Sequence, residues 1–367
     1  MIVTLWVLSS AALLVLAGSL YQILGSRRDR RIYSKEGRFA EIAPGCNLYL
    51  FELGAGEPTV VFEAGIGATH LNWRRIQDAI AHSTHTVSYD RAGLGWSSAS
   101  HTARTPFNIA RELRQMLQRA GLQPPYILVG HSFGGLVMRR FALLYPEEAA
   151  GIVLVDPMRC EQWPPVDPSK KSQLDLGLRL IRYAMPVVRC GLARLLVSVF
   201  FCRSSKFSDH VAGAAGAHSR HVVGRIKTEV SKMPRKVWPA IAAHWSRPGF
   251  FAGMRSHIES IPDTVREMHV AAPINAIPIT LLTPASSTPL SEDQLAHIGN
   301  NIRQIIAPKS EHWIHLDEPD LVIAAILEMA GGALAPAAML DEPEAAFVAG
   351  TAFPESATLL SAPRQAQ

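Results

Sequence analysis

The sequence predicts an α/β fold in which a mostly parallel central sheet is flanked by helices. Short apolar runs typical of buried strands alternate with helical patterns along most of the chain. One of these runs, at residues 126–130, leads through a glycine-rich turn directly into a helical segment. The chain has 367 residues, of which 48% are hydrophobic and 18% charged, and this composition excludes a disordered or fibrous protein.

Residues 2–24 form the first element and contain no charged side chain. A helix of that length measures about 34 Å, enough to cross a hydrocarbon core of about 30 Å, so we expect a single-pass anchor in contact with membrane lipid. The alternative is a cleaved signal peptide, which normally starts with a basic region, whereas Met1 is followed directly by apolar residues. The arginines within residues 27–31 follow the span, and the positive-inside rule therefore predicts a cytoplasmic globular part.

Strands and helices alternate after the anchor. Strands are predicted at residues 47–52, 59–63, 85–90, 126–130, 152–156, 277–283 and 302–306. Helices fit between them at residues 71–82, 108–120, 135–145 and 292–299, with a last helix after Pro319.

The stretch from residue 160 to residue 270 interrupts this order, because it contains helical segments separated by Pro, Gly and Ser and no convincing strand. We therefore predict a core whose first part is residues 25–159 and whose second part is residues 271–330, a helical cap at residues 160–270 inserted between two strands, and a flexible Ala/Pro-rich tail at residues 331–367. Within the cap, residues 174–201 are apolar with interspersed arginines. They could lie on a membrane surface, line an apolar pocket or pack on the sheet domain.

The net charge and the cysteine content limit the classes of partner and cofactor that the sequence suggests. The net charge is +5, and four of the positive charges fall within residues 27–31, so the remainder carries no nucleic-acid footprint. The four cysteines, Cys46, Cys160, Cys190 and Cys202, are scattered and suit neither a disulfide scaffold nor a zinc site. We find no metal-ligand spacing and no dinucleotide fingerprint, so we expect no cofactor and no metal. The oligomeric state is not indicated by the sequence.

The strongest chemical signal is Gly-x-Ser-x-Gly at residues 130–134, between an apolar strand and a helix. This is a nucleophile elbow in its required context. The sharp turn strains Ser132, and side chains two positions either side would collide, so Gly130 and Gly134 are needed. The helix that follows directs its free N–H groups toward the point where negative charge develops.

A serine hydroxyl needs a base that is distant in sequence but close in space. His312 is the candidate, because it lies in the loop after the last strand. His315 is the competitor and could instead pack or cap locally. His131 is adjacent to Ser132 and therefore badly placed to reach back to it.

These motifs and their order resemble those of the α/β-hydrolase fold superfamily, in particular the lidded serine hydrolases of the esterase and lipase type. The resemblance spans about residues 37–329 and includes residues 63–67, residues 89–97 and the loop ending at residues 317–319. It implies that the backbone N–H groups of Ile66 and Phe133 form the oxyanion hole.

The third triad member departs from the commonest pattern of that superfamily, which places an acid after the strand at residues 277–283. Residues 284–289 contain no carboxylate. The nearest acids, Glu292 and Asp293, follow Ser291 in a pattern typical of a helix capping box. Asp156, at the end of the preceding strand, is therefore the candidate, and some members of the superfamily resemble this arrangement. Its other interpretation is a turn or cap residue before Pro157.

The sequence thus favours a membrane-anchored serine hydrolase that cleaves carboxylic esters of small or lipophilic acyl groups through Ser132, His312 and Asp156. A serine at the elbow argues against epoxide hydrolase or dehalogenase chemistry, which resembles this fold but uses a carboxylate nucleophile. Amidase, peptidase, thioesterase or acyltransferase activity remains open on the same triad. A different class of hypothesis is a non-catalytic, membrane-tethered binding protein.

Overall fold

The computed structural model describes residues 2–160, 168–202 and 228–331. The tail predicted at residues 331–367 lies, apart from Gly331, outside the described residues, as do residues 161–167 and 203–227 of the predicted cap.

The described residues form an eight-stranded sheet with the order β1-β2-β4-β3-β5-β6-β7-β8. The strands are β1 (Arg38–Ala43), β2 (Cys46–Leu53), β3 (Thr59–Glu63), β4 (Thr86–Tyr89), β5 (Tyr126–His131), β6 (Ala149–Val155), β7 (Ile279–Pro284) and β8 (Ile302–Ala307). Strand β2 pairs antiparallel with both β1 and β4, and every other pairing is parallel. The predicted mostly parallel α/β sheet is confirmed.

Helices precede the sheet, connect its strands and form the interval between β6 and β7. They are α1 (Ile2–Tyr33), α2 (Arg74–Ile80), α3 (Pro106–Arg119), α4 (Phe133–Leu144), α5 (Pro168–Arg189), α6 (Leu192–Cys202), α7 (Trp238–Trp245), α8 (Pro248–Glu259), α9 (Ile261–His269), α10 (Glu292–Ala296), α11 (Ile314–Asp317) and α12 (Pro319–Met329). Within the described part of the interval between β6 and β7, α5 to α9 are helical and no strand occurs.

The central strands are buried on both faces because helices cover each side of the sheet. Leu128 and Leu154 belong to one apolar cluster, whereas their strand neighbours Val129 and Val153 belong to another on the opposite face. Each such side chain contributes roughly 1.5–3 kcal/mol by leaving water. The two clusters fix the sheet, and with it the strand ends that carry the functional side chains.

Two elements differ from the prediction. The first strand, β1, was not predicted, because only Ala40 and Ile42 of its residues point into the core and two apolar positions make a weak strand pattern. The first helix runs to Tyr33 instead of ending near residue 24. Its last turns contain arginine, which is a good helix former, so the helix continues through the polar segment.

Among the described residues, α1 is long and apolar enough to cross a membrane. A signal sequence near the N-terminus meets the same criterion. Residues 2–17 are all exposed, so this part of the helix projects from the body of the protein.

Candidate active site

Ser132 lies at the turn between β5 and α4, in the conformation expected of a nucleophile elbow. Its φ is 54° and its ψ is −120°, a region that costs a residue other than glycine about 1–3 kcal/mol. Three backbone hydrogen bonds hold it there: its N–H donates to Val155, and its carbonyl accepts from Gly135 and Met158, at 3.0–3.1 Å. The strained turn leaves the Ser132 side chain partly exposed at the carboxyl edge of the sheet.

The glycines around Ser132 are required by close backbone contacts. A Cβ atom on Gly130 would lie 2.6 Å from the carbonyl oxygen of Gly134, and one on Gly134 would lie 2.4 Å from that of Glu63. Neither position has room for a methyl group. The second contact also shows that the start of α4 packs directly on the end of β3.

Asp156 and His312 meet beside this turn. Residue His131 pairs with Val155 across β5 and β6, so Ser132 and Asp156 leave adjacent strands at the same level. Asp156 has a φ of 39° and its N–H donates to Leu282 at 2.9 Å. Its Oδ2 lies 2.7 Å from Nδ1 of His312. The Asp156 side chain is 12% exposed and that of His312 is 42% exposed, so the ring reaches from a buried acid toward the open side of the site.

His131 holds His312 from the other side. Nε2 of His131 donates to the carbonyl oxygen of His312 at 2.9 Å, and the two ring centroids are 4.7 Å apart. Burial lowers the pKa of His131 well below its usual range, with further lowering by His315 and His312. His131 is therefore neutral, and its single N–H donates to the backbone carbonyl oxygen of His312.

The competitor, His315, is packed inside the core. It is 1% exposed, and its ring lies 4.7 Å from that of Trp73 and 4.4 Å from that of His131. Burial lowers the pKa of His315 to about 3. Its position fits the alternative that it packs locally.

The loop after β3 reaches the nucleophile. A Cβ atom on Gly65 would lie 3.5 Å from the Cβ of Ser132, so the adjacent N–H of Ile66 is close to the elbow. Phe133 is the first residue of α4 and is fully buried, which leaves its backbone N–H at the free end of the helix. The backbone at Ile66 and at Phe133 thus adjoins the turn that carries Ser132.

A buried ionic network supports this loop. Nη2 of Arg91 donates to the carbonyl oxygen of Gly65, and Nε of Arg91 lies 3.6 Å from Oε1 of Glu63. The hydroxyl of Tyr89 donates to Oε2 of Glu63. Burial raises the pKa of Glu63 to about 7, although Arg91 and the Tyr89 hydroxyl both stabilise its charged form. The network connects the ends of β3 and β4 to the backbone beside Ser132.

The first acids after β7 lie at the start of α10. Ser291 and Gln294 form a reciprocal capping box at the start of α10, as predicted, and Glu292 and Asp293 occupy its first turn. Both carboxylates are exposed.

Among the described residues, the arrangement of His70, Asp90 and His244 could suit a metal ion. One ligand atom from each lies within 4.8 Å of the others. However, Oδ1 of Asp90 already accepts from the N–H and Nδ1 of His70 at 3.0 and 2.8 Å, and Oδ2 accepts from the N–H of Trp96 at 2.9 Å. Burial alone would raise the pKa of Asp90, but His70 outweighs burial and lowers it. The cluster joins α7 to the core, where the ring of His244 packs against Trp96 with their centroids 4.2 Å apart.

Asp90 and Arg91, at the end of β4, are buried, and each is paired with a neighbour. Sequence reasoning did not identify Glu63 as the partner of Arg91 or the hydrogen bond from His131 to His312. The signal for Glu63 was present, since an acid that ends a fully apolar strand is unusual and needs a partner.

The comparisons with known proteins agree with this fold. The sequence pattern of the alpha/beta hydrolase fold family matches residues 58–204, which include Ser132 and Asp156. The chain also resembles epoxide hydrolase A from Mycobacterium thermoresistibile over 81% of its own length and 98% of that structure, with a TM-score of 0.58 and 22% identity. The chain therefore has the α/β-hydrolase fold. At that identity the structural likeness shows the fold alone.

Two curated relatives match shorter parts of the chain. YqjL of Bacillus subtilis, a protein described as uncharacterized, is 36% identical over 104 residues, which are 28% of this chain and 41% of YqjL. An AB hydrolase superfamily protein of Gibberella zeae is 33% identical over 98 residues, 26% of this chain and 30% of that protein. The chain spans less than half of the length of either relative.

Proposed function

We propose that the protein is a membrane-anchored serine hydrolase that cleaves carboxylic esters of small or lipophilic acyl groups. The observation that carries the proposal is the 2.7 Å contact between Nδ1 of His312 and Oδ2 of Asp156, beside the strained Ser132. A carboxylate that accepts from Nδ1–H leaves the lone pair on Nε2, the nitrogen that faces away from the acid. His312 then has the tautomer of a general base.

The steps follow from these positions. Nε2 of His312 takes the proton of the Ser132 hydroxyl as Oγ attacks the ester carbonyl. The N–H groups of Ile66 and Phe133 donate to the resulting oxyanion. The imidazolium gives its proton to the leaving alkoxide, and the acyl group stays on Ser132. Water, deprotonated by His312, releases the acid and restores the serine, while Asp156 keeps the ring oriented.

A serine nucleophile separates this proposal from epoxide opening. A carboxylate that attacks an epoxide forms an ester, which water can then cleave at its carbonyl, whereas a serine would form an ether that water does not cleave. Ser132 is therefore suited to acyl transfer. Amides, thioesters or an acceptor other than water would use the same acyl-enzyme, and they are compared in the substrate test below.

Helix α1 is the proposed anchor. Its first 16 described residues, 2–17, are exposed. A continuous apolar surface of this length is unfavourable in water. The arginines of residues 27–31 follow the apolar part, which favours a cytoplasmic globular part.

The test is ester turnover by the full-length protein in detergent micelles, using p-nitrophenyl esters of increasing chain length alongside matched amides and thioesters. Ser132→Ala removes the nucleophile and is expected to lower kcat by about 10⁵-fold or more. Ser286→Ala, at an exposed serine after β7, is the matched control and keeps wild-type turnover. Folded wild-type protein that turns over none of these substrates would support a non-catalytic binding protein instead.

A further inference from the structure

Two cap helices present an apolar face to the outside. Leu176, Leu180, Tyr183 and Val187 recur at helical spacing along α5, and Tyr183 and Leu180 are 74% and 61% exposed. Leu195 and Leu196 of α6 add to the same kind of surface, at 52% and 48% exposure. We call these six side chains the cap face. An exposed apolar group of this kind marks a contact with a protein or a membrane.

A buried arginine ties α6 to the N-terminal helix. Arg194 is 8% exposed. Its guanidinium donates to Oε1 of Gln22 at 3.2 Å, to Oγ of Ser26 at 3.1 Å and to Oδ2 of Asp29 at 2.5 Å. Nε2 of Gln22 in turn donates to the carbonyl oxygen of Ser246, after α7, at 2.9 Å. The lower part of α1 is thus attached to the cap by charged and polar contacts.

The corner between α5 and α6 touches α1 closer to its apolar end. A Cβ atom on Gly18 would lie 2.1 Å from the carbonyl oxygen of Cys190. A Cβ atom on Gly191 would lie 2.6 Å from the carbonyl oxygen of Gly18. The two backbones are therefore in direct contact at residue 18.

The length of the apolar part of α1 indicates how close the corner between α5 and α6 lies to the membrane. Residues 2–17 are exposed, and 16 residues make about 24 Å of helix. A hydrocarbon core is about 30 Å thick and needs about 20 residues. The uncharged part of α1 runs to residue 24, so a span formed by it includes Gly18 and Tyr21, which lie against Cys190 and Gly191. The corner, and the cap face beside it, lie at the membrane surface if α1 crosses the bilayer.

Charge around the cap face suits an anionic surface. Arg179, Arg182 and Arg189 are exposed on α5, where Asp175 is the exposed acid among residues 171–189. Four more arginines, Arg27, Arg28, Arg30 and Arg31, follow the apolar part of α1. Basic residues near an anionic leaflet are attracted to its surface.

The cap face is one helix away from the candidate oxyanion loop. Helix α5 packs on α8, where a Cβ atom on Gly177 would lie 3.8 Å from Cδ1 of Ile258. Helix α8 packs on the loop, where a Cβ atom on Gly67 would lie 2.6 Å from Sδ of Met254. The order is α5, then α8, then the loop beside Ser132.

We propose that the cap face lies in the headgroup layer of the anionic bilayer that α1 crosses, so that the protein contacts this membrane at α1 and at the cap together. This inference rests on the membrane anchoring proposed above and does not depend on the catalytic part of that proposal.

The test measures the depth of single side chains in the full-length protein. Cys46, Cys190 and Cys202 are replaced by serine, and the buried Cys160 is kept. Leu180→Cys or Leu195→Cys is then labelled with an environment-sensitive nitrobenzoxadiazole dye. The matched control is Ile306→Cys, at an exposed apolar side chain of β8, the sheet edge opposite β1. Each protein is reconstituted into vesicles of equal parts phosphatidylcholine and phosphatidylglycerol, with or without a headgroup-level nitroxide lipid.

We expect the dye at residues 180 and 195 to shift its emission to the blue and to lose fluorescence to the nitroxide lipid, and the dye at residue 306 to do neither. We expect the quenching at residue 180 to weaken in vesicles of phosphatidylcholine alone. Equal, water-like emission at all three positions in protein that floats with the vesicles would overturn the cap contact and leave the anchor intact. Failure of the full chain to float would overturn both. Serine labelling of the same samples reports catalysis separately.

Discussion

The carbonyl oxygen of His312 accepts a hydrogen bond from Nε2 of His131, the residue that directly precedes Ser132. The candidate base is therefore held twice, at its ring by Asp156 and at its backbone by a side chain from the nucleophile turn. Because preorganisation of a base is a large part of its effect, the second contact positions His312 without touching the substrate.

His131→Phe removes this donor and keeps an aromatic ring in the buried space. We expect kcat for an ester substrate to fall about fivefold, the equivalent of one hydrogen bond of about 1 kcal/mol, with little change in KM. His131→Gln carries an amide N–H near the position of Nε2 and is expected to recover most of the activity. Equal losses in the two variants would show that ring packing, and not the hydrogen bond, is what matters.

Asp156→Asn tests the choice of acid. An amide that donates to Nδ1 would impose the wrong tautomer on His312, so we expect kcat to fall by about 10⁴-fold with the fold retained. Glu292→Gln, in the first turn of α10, is the matched control and keeps wild-type kcat. If kcat fell in Glu292→Gln and not in Asp156→Asn, the acid of the triad would be the one that follows β7.

Arg91→Met tests the network beneath the oxyanion loop. The change leaves Glu63 buried without its cation, and we expect the free energy of unfolding to fall by about 3–5 kcal/mol. The pKa of Glu63 is already raised to about 7 by burial, and losing Arg91 raises it further. A carboxyl group whose pKa is raised in the folded protein stabilises the folded state at low pH. This stabilisation is lost as the pH rises from about 4.5, the pKa in the unfolded chain, through the pKa in the folded protein. The loss should therefore be larger at pH 8 than at pH 6.

Denaturant titration at both pH values measures the effect. Glu63→Gln combined with Arg91→Met removes the buried charge and is expected to recover part of the loss. If the loss of stability in the double variant equals the sum of the losses in Arg91→Met and Glu63→Gln, the two side chains do not act as a pair.

Buried histidines predict acid sensitivity. Burial lowers the pKa of His131 and His257 well below the usual range and that of His244 and His315 to about 3. Below pH 6.5 the unfolded chain takes up protons that the folded protein does not, so stability falls as pH drops, by about 1.4 kcal/mol per pH unit for each histidine. Glu63 opposes this trend by one proton between about pH 4.5 and 7.

His315→Phe isolates one of these contributions. Both ring nitrogens of His315 lack a hydrogen-bond partner, so phenylalanine can fill the site without breaking a contact. We expect the dependence of unfolding free energy on pH between 6 and 5 to become shallower by about 1.4 kcal/mol per pH unit. An unchanged slope would mean that His315 takes up a proton in the folded protein.

The sequence predicted the site best where local pattern and chemistry coincide. Gly130, Ser132 and Gly134 form a turn whose geometry follows from sterics, and the order of the strands brings Asp156 and His312 to its side. The network of Glu63 and Arg91 depends on how β3 and β4 are registered, with Phe62 opposite Ser88, and a single sequence does not specify that register. The Arg194 contacts join residues more than 160 positions apart, which no local pattern encodes.

The central claim is that Ser132 is a nucleophile activated by His312. The most direct measurement is mass spectrometry of the peptide containing Ser132 after the folded, full-length protein has reacted with a fluorophosphonate probe. We expect one phosphonyl adduct on Ser132, formed much more slowly in His312→Ala and absent in Ser132→Ala. No adduct on folded wild-type protein, or an adduct on another residue that persists in Ser132→Ala, would contradict the claim.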